Sequence, residues 1–205
     1  MKKIKLLLSC LLVSSPILAA LSNCSHSEPD KPTPQPTVLS DLLDIGASGD
    51  CTGFKEDVTQ EQIDTVICSD TLELPKEIIT ICDKAFNYVD EDDLHIPSCV
   101  STIILPENLT SIGKAAFRQN NHIQEVVFNK NLTNIHEQAF EYCISIKSLK
   151  FNEGLETIEA NAFARCNGLT DIVLPNTIKN IGERAFFECG NLNKIDTSSF
   201  DNTFV

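Results

Sequence analysis

Phenylalanines stand at positions 117, 140, 163 and 186, each preceded by alanine and each 23 residues from the last. Ile112, Ile135, Ile158 and Ile181 lie five residues before them, and a more distant copy of the same signature occurs at Ile81 and Ala85-Phe86. Cys143, Cys166 and Cys189 follow the last three phenylalanines at a fixed interval, and Ile146, Leu169 and Leu192 come next. A unit of this size has an apolar edge but cannot enclose a core. Only stacking on copies of itself buries that edge, which points to a solenoid. The composition agrees, with 11 Phe against two Tyr and no Trp. One structural position is being refilled with the same ring.

The pattern I-G-x-x-A-F-x-x-C-x-x-L-x-x-I-x-L-P resembles the BspA-like subgroup of leucine-rich repeat proteins. Its clearest copies are residues 105–127, 128–150, 151–173 and 174–196, and a divergent one starts at Leu74-Pro75 with an excess of eight residues. The resemblance implies a β-rich (α/β), right-handed solenoid of 23-residue repeats, with short strands and short helical or turn segments, over residues 74–196. Residues 40–73 are expected to form the N-terminal cap and 197–205 a C-terminal cap or tail. Cys82, His136 and Glu159 replace the glycine that follows the repeat isoleucine, and are expected to loosen single coils. The divergent first coil is expected to lean less on its phenylalanine, Phe86, than the complete coils do on theirs.

Residues 1–23 read as a secretory signal, with Lys2, Lys3 and Lys5 before an uncharged apolar stretch from Leu6 to Leu21. Leu21-Ser22-Asn23-Cys24 resembles the lipobox of bacterial lipoproteins, which implies lipidation at Cys24 and anchoring at the outer membrane or cell surface. Ordinary cleavage after Ala20-Leu21-Ser22 is the alternative. Residues 24–39 carry four closely spaced prolines, Pro29, Pro32, Pro34 and Pro36, and read as a semi-rigid tether.

The remaining cysteines divide into two groups. Cys143, Cys166 and Cys189 hold the repeat position and read as buried structural thiols. Cys51, Cys68, Cys82 and Cys99 fall outside it. Export makes disulfides possible among these four, which allow three pairings, with Cys51–Cys68 and Cys82–Cys99 preferred. Cys82, His95, Cys99 and Cys68 also have loosely finger-like zinc spacing but lack C-x-x-C knuckles, so no metal is expected. The acidic run Asp90–Asp93 fails the calcium-loop pattern at Leu94 and His95. His122 and His136 read as surface side chains.

A formal charge of −13 argues against nucleic acid, because phosphate binding needs a basic face. No G-x-S-x-G, phosphate loop or H-E-x-x-H occurs, so neither an enzyme nor a cofactor is expected. In a leucine-rich repeat the outward strand residues form the usual concave binding face, here Glu125, Val127, Ser148, Lys150, Asp171, Val173, Lys194 and Asp196. The family resemblance therefore implies a monomeric surface lipoprotein, adhesin-like, that binds a host or extracellular protein. An accessory lipoprotein of an envelope complex, in glycan handling, is the second reading, and the loop at Asp90–Asp93 is the rival binding site.

Overall fold

The computed structural model describes residues 38–67, 69–88 and 94–198. The signal segment, Cys24, most of the tether, Cys68, the Asp90–Asp93 run and the tail from 199 lie outside the described residues. At the N-terminal end a short helix α1 (Leu39–Leu42) leads into β1 (Leu43–Ile45), which pairs antiparallel with β2 (Asp50–Phe54). Helix α2 (Gln60–Val66) follows. Thr59 caps it: its side chain accepts from the Gln62 N–H while the Gln62 side chain accepts from the Thr59 N–H, a reciprocal cap that satisfies two otherwise orphaned donors. Leu42, Leu43, Cys51, Ile63 and Ile67 are buried in this region.

From here the chain repeats itself. The three-residue strands are β3 (Thr71–Glu73), β5 (Thr102–Ile104), β7 (Glu125–Val127), β9 (Ser148–Lys150), β11 (Asp171–Val173) and β13 (Lys194–Asp196). Two-residue strands alternate with them: β4 (Thr80–Ile81), β6 (Ser111–Ile112), β8 (Asn134–Ile135), β10 (Thr157–Ile158) and β12 (Asn180–Ile181). With one interruption these strands pair parallel, one coil to the next, with equivalent positions opposite each other. The short strands join β1 and β2 in a seven-stranded sheet ordered β1-β2-β4-β6-β8-β10-β12. This is the expected α/β repeat solenoid.

The longer strands do not make one continuous sheet. They form two three-stranded sheets, β3-β5-β7 and β9-β11-β13, with the ladder interrupted between Val127 and Lys150. Elsewhere the residue after each strand donates its N–H to the next coil, as Leu105 does to Val127 O at 3.1 Å and Phe151 to Val173 O at 3.3 Å. The break falls where two phenylalanines, Phe128 and Phe151, stand in successive coils at the position held by Leu105 and Leu174. Their rings pack tilted at 4.9 Å.

The turn around each Ala-Phe pair is a second hydrogen-bonded ladder. In the second repeat the N–H groups of Gln138, Phe140 and Tyr142 donate to the carbonyls of Ala160, Ala162 and Ala164 in the next coil. The flanking donors take left-handed backbone: Gln138 has φ 60° and Tyr142 φ 64°, and the same values recur at Ala115 and Gln119 and at Asn161 and Arg165. Left-handed backbone costs a non-glycine residue about 1–2 kcal/mol. Here it aims every donor at the neighbouring coil, so an isolated unit would bear the strain without the bonds.

Inside, the repeat phenylalanines form one column. Phe86, Phe117, Phe140 and Phe163 are fully buried and stack at 5.1–5.3 Å, with Phe163 to Phe186 at 5.6 Å. Phe54 closes the N-terminal end edge-on to Phe86 at 5.6 Å. That contact corrects the expectation for the first coil, whose ring is as enclosed as those in the middle. Only Phe186 is half-exposed. Phe86→Ala, Phe140→Ala and Phe163→Ala should each cost about 3–5 kcal/mol in denaturant unfolding, and Phe186→Ala clearly less.

Candidate functional site

Three places on the described surface bring functional groups together. The first is the outer face of the longer strands. The middle residue of each of three of them, Val126, Leu149 and Ile172, is buried, so their flanking residues point outward. The structure accordingly leaves Glu125, Val127, Lys150 and Lys194 exposed and Ser148, Asp171, Val173 and Asp196 half-buried on this face. Val173 lies opposite Lys150 on one side and Asp196 on the other. Val127 holds the same place in its coil as Lys150 does in the next, and the Lys147 N–H still donates to Gln124 O at 3.1 Å where the ladder is interrupted. Lys194 approaches Asp196 at 3.7 Å on the last strand, and the carboxyl of Asp196, bonded to Ser198, is held below the ordinary aspartate range.

The second is a hollow of about 550 Å³ beside the inserted segment, lined by Tyr88, His95, Ile96, Ser98, Gln119, Asn121 and His122. Tyr88 meets His95 edge-on at 5.0 Å. Burial, and secondarily the charge of His95, push the His122 imidazole below its usual range, and its Nε2 is enclosed. His122 is therefore more than the surface side chain that the sequence suggests.

The third place lies on the short-strand sheet, and the sequence alone does not show it. His136 Nε2 is 3.0 Å from Ser111 Oγ, and His136 Nδ1 is 2.9 Å from Glu159 Oε1. Glu159 is itself fixed, because Oε2 accepts from the Glu137 N–H at 3.0 Å. A carboxylate can only accept, so Nδ1 carries the proton, and in the neutral imidazole Nε2 accepts from the serine hydroxyl. His136 and Glu159 are two of the residues that replace the repeat glycine. They loosen nothing: β8 and β10 keep full register, and the two replacements bond each other across the coils.

The same one-repeat step governs four other ion pairs. Lys114–Glu137, Arg118–Glu141, Glu156–Lys179 and Arg165–Glu188 all join residues 23 apart. Arg165 also lies over the Tyr142 ring at 4.8 Å and donates to its hydroxyl. Such solvent-facing pairs add little stability, so their role is to reward correct register.

The cysteines correct one expectation. Cys82 and Cys99 are not bridged. The Cys82 N–H donates to Cys51 O at 2.8 Å, beside the seven-stranded sheet, whereas Cys99 Sγ faces Ile67 O at 3.7 Å. The two ends of the proposed bridge are held by different neighbours. Cys51 is also a free thiol, and its expected partner Cys68 lies outside the described residues. The zinc spacing is not assembled either: among the described residues no three His, Cys, Asp or Glu side chains gather as a metal site. Cys143, Cys166 and Cys189 are buried, and each donates its thiol to the phenylalanine carbonyl of the preceding coil at 3.1–3.3 Å. Asn120 does the same with its amide, at 2.7 Å to Phe86 O.

Comparison with known proteins fits this geometry. A family model for the BspA type leucine rich repeat region matches residues 97–204 in six copies. A leucine rich cell surface protein of Faecalibacterium prausnitzii is 26% identical over 75% of this chain, with a TM-score of 0.56. The leucine rich repeat protein of T. pallidum is 22% identical over 75% of this chain, with a TM-score of 0.58, a likeness of fold. The chain spans 37% of the first of these proteins and 66% of the second. No curated protein matches it in sequence. Among the described residues no helix is long and apolar enough to cross a membrane.

Burial pushes the Cys143 thiol up to about 12 and holds Cys166 well above the ordinary thiol range. In the native chain, Cys99 should therefore alkylate at once, and Cys143 and Cys166 only on unfolding, as peptide mapping after timed iodoacetamide treatment would show.

Proposed function

The chain belongs to the BspA-type leucine-rich repeat family, and from that premise we propose that it is a cell-surface binding protein whose longer-strand face takes a protein partner. The observation that carries this reading is the composition of that face in its folded register. Val127 is 41% exposed, and Val173 lies beside Lys150, with Asp171 and Asp196 close by. Apolar side chains alternating with charges of both signs suit a protein surface better than a polyanion or a bare lipid. The Faecalibacterium relative is described as a cell surface protein, which supports the location.

In this reading the segment before residue 40 exports the chain and, through a lipid on Cys24, tethers it to a bacterial envelope. The proline-rich stretch then holds the repeat domain away from the membrane. A diacylated N-terminus gives durable anchoring, so Cys24→Ala should move the protein from the membrane fraction into the soluble one. Retention of the variant on membranes after a high-salt wash would contradict lipidation.

Partner contacts across the coils should depend on Lys150, where a partner carboxylate can be paired and shielded by Val173. Extracellular proteins captured by the wild-type domain should be lost with Lys150→Glu, since reversing a desolvated charge costs about 2–5 kcal/mol. Lys179→Glu, exposed beside the other sheet, should leave capture unchanged. The reverse result, with both variants unfolding as wild type does, would move the site away from the longer strands.

A further inference from the structure

We propose that Ser111, His136 and Glu159 form an acyl-transfer site, with Ser111 as the nucleophile toward carboxylic esters. The inference is independent of partner binding, since it concerns the other sheet. Its basis is the unbroken relay from carboxylate to imidazole to hydroxyl. Glu159 Oε1 receives the Nδ1 proton at 2.9 Å, and Nε2 stands 3.0 Å from Ser111 Oγ. These are the roles, in the same order, that activate a serine hydroxyl in acyl transfer, a constellation defined by geometry and not by chain position. The acid is also fixed from behind by the Glu137 N–H, so the imidazole is held in the tautomer that leaves Nε2 free to take a proton.

Other one-repeat steps centre on permanently charged groups, Lys114 with Glu137, and Arg165 with Glu188 and the Tyr142 hydroxyl. Here the middle group is an imidazole, which can take up and return a proton. Asn134 is the register partner of Ser111 on the next strand, and its amide donates to Thr133 Oγ1 at 3.0 Å. In the proposed site its second amide proton would serve as the oxyanion donor.

The chemistry then closes on itself. Ser111 Oγ bonds to the ester carbonyl carbon while His136 Nε2 takes its proton, and Glu159 stabilises the imidazolium. The bond to the leaving alkoxide breaks, and that oxygen takes the proton from His136. Water attacks the acyl-serine with His136 again as base, releasing the carboxylic acid and restoring Ser111. Ester and water become acid and alcohol, with no redox partner. His136 and Glu159 each expose about two fifths of their side chains, 39% and 40%. No deep wall selects a substrate shape, so the class that fits is an ester group presented from an exposed position, such as an O-acyl group on a larger molecule, and small activated esters.

The test uses the full chain with a fluorophosphonate probe and with p-nitrophenyl acetate. Mass spectrometry should find the phosphonyl group on Ser111, and labelling should vanish in Ser111→Ala and fall at least about 100-fold in His136→Ala. Ester turnover should fall in parallel. Glu159→Gln keeps the shape and removes the charge, and should lower kcat at unchanged KM, which a merely structural role would not produce. Unfolding midpoints of the variants establish that they are folded. Failure of the folded wild-type chain to label at Ser111, or turnover that persists in Ser111→Ala, would overturn the proposal.

Discussion

Hydrogen bonds between coils carry this structure, and every other feature depends on the register they impose. Each coil presents donors from its strands and from its Ala-Phe turn to carbonyls one repeat away. A coil alone would leave those groups unpaired and would hold residues such as Gln138 and Tyr142 in left-handed backbone with no return. The stacked phenylalanines act on the same coordinate. A ring column at 5.1–5.3 Å forms only if successive coils superpose, and so do the thiol-to-carbonyl bonds of Cys143, Cys166 and Cys189. Stability is therefore a sum of neighbour terms along a line.

Register also explains how function is written on the surface. Residues distant in sequence meet because they occupy equivalent or adjacent repeat positions. His136 and Glu159 are one repeat apart, and Ser111 sits two residues earlier in its own coil than the position His136 holds in the next. Glycine at that position, as at Gly113 and Gly182, lies against the preceding coil, where an added Cβ would come within 2.6 Å and 2.4 Å of backbone nitrogen. Where the chain departs from glycine it gains side chains that span coils. The two sheets thus divide the surface: the longer strands offer an alternating apolar and charged face, and the short strands carry polar groups that bond to one another.

The solenoid was legible in the sequence because a period of 23 is a direct consequence of stacking, and the buried Ile, Ala-Phe and Cys positions repeat with it. The outward strand residues could be named for the same reason. Three things were not legible. The break between Val127 and Lys150 falls beside the Phe128–Phe151 contact, and the repeat pattern, which treats Leu and Phe as equivalent, gives no sign of it. The closure of Phe86 by Phe54 comes from the N-terminal hairpin, which has no counterpart in the repeat. Ser111, His136 and Glu159 belong to no linear motif. The signal was present, in the two non-glycine residues at a glycine position, but it becomes chemistry only after the register is applied.

Changing the number of residues per step tests whether coil-to-coil register governs the whole molecule. One variant receives a second copy of residues 151–173 after Val173, and another a single alanine at the same place. The account predicts that the inserted coil leaves unfolding cooperative, with a larger denaturant m value and a midpoint no lower than wild type. The single alanine should lower the midpoint, because every later coil is offset by one position. A full-repeat insertion as damaging as the single residue would contradict it.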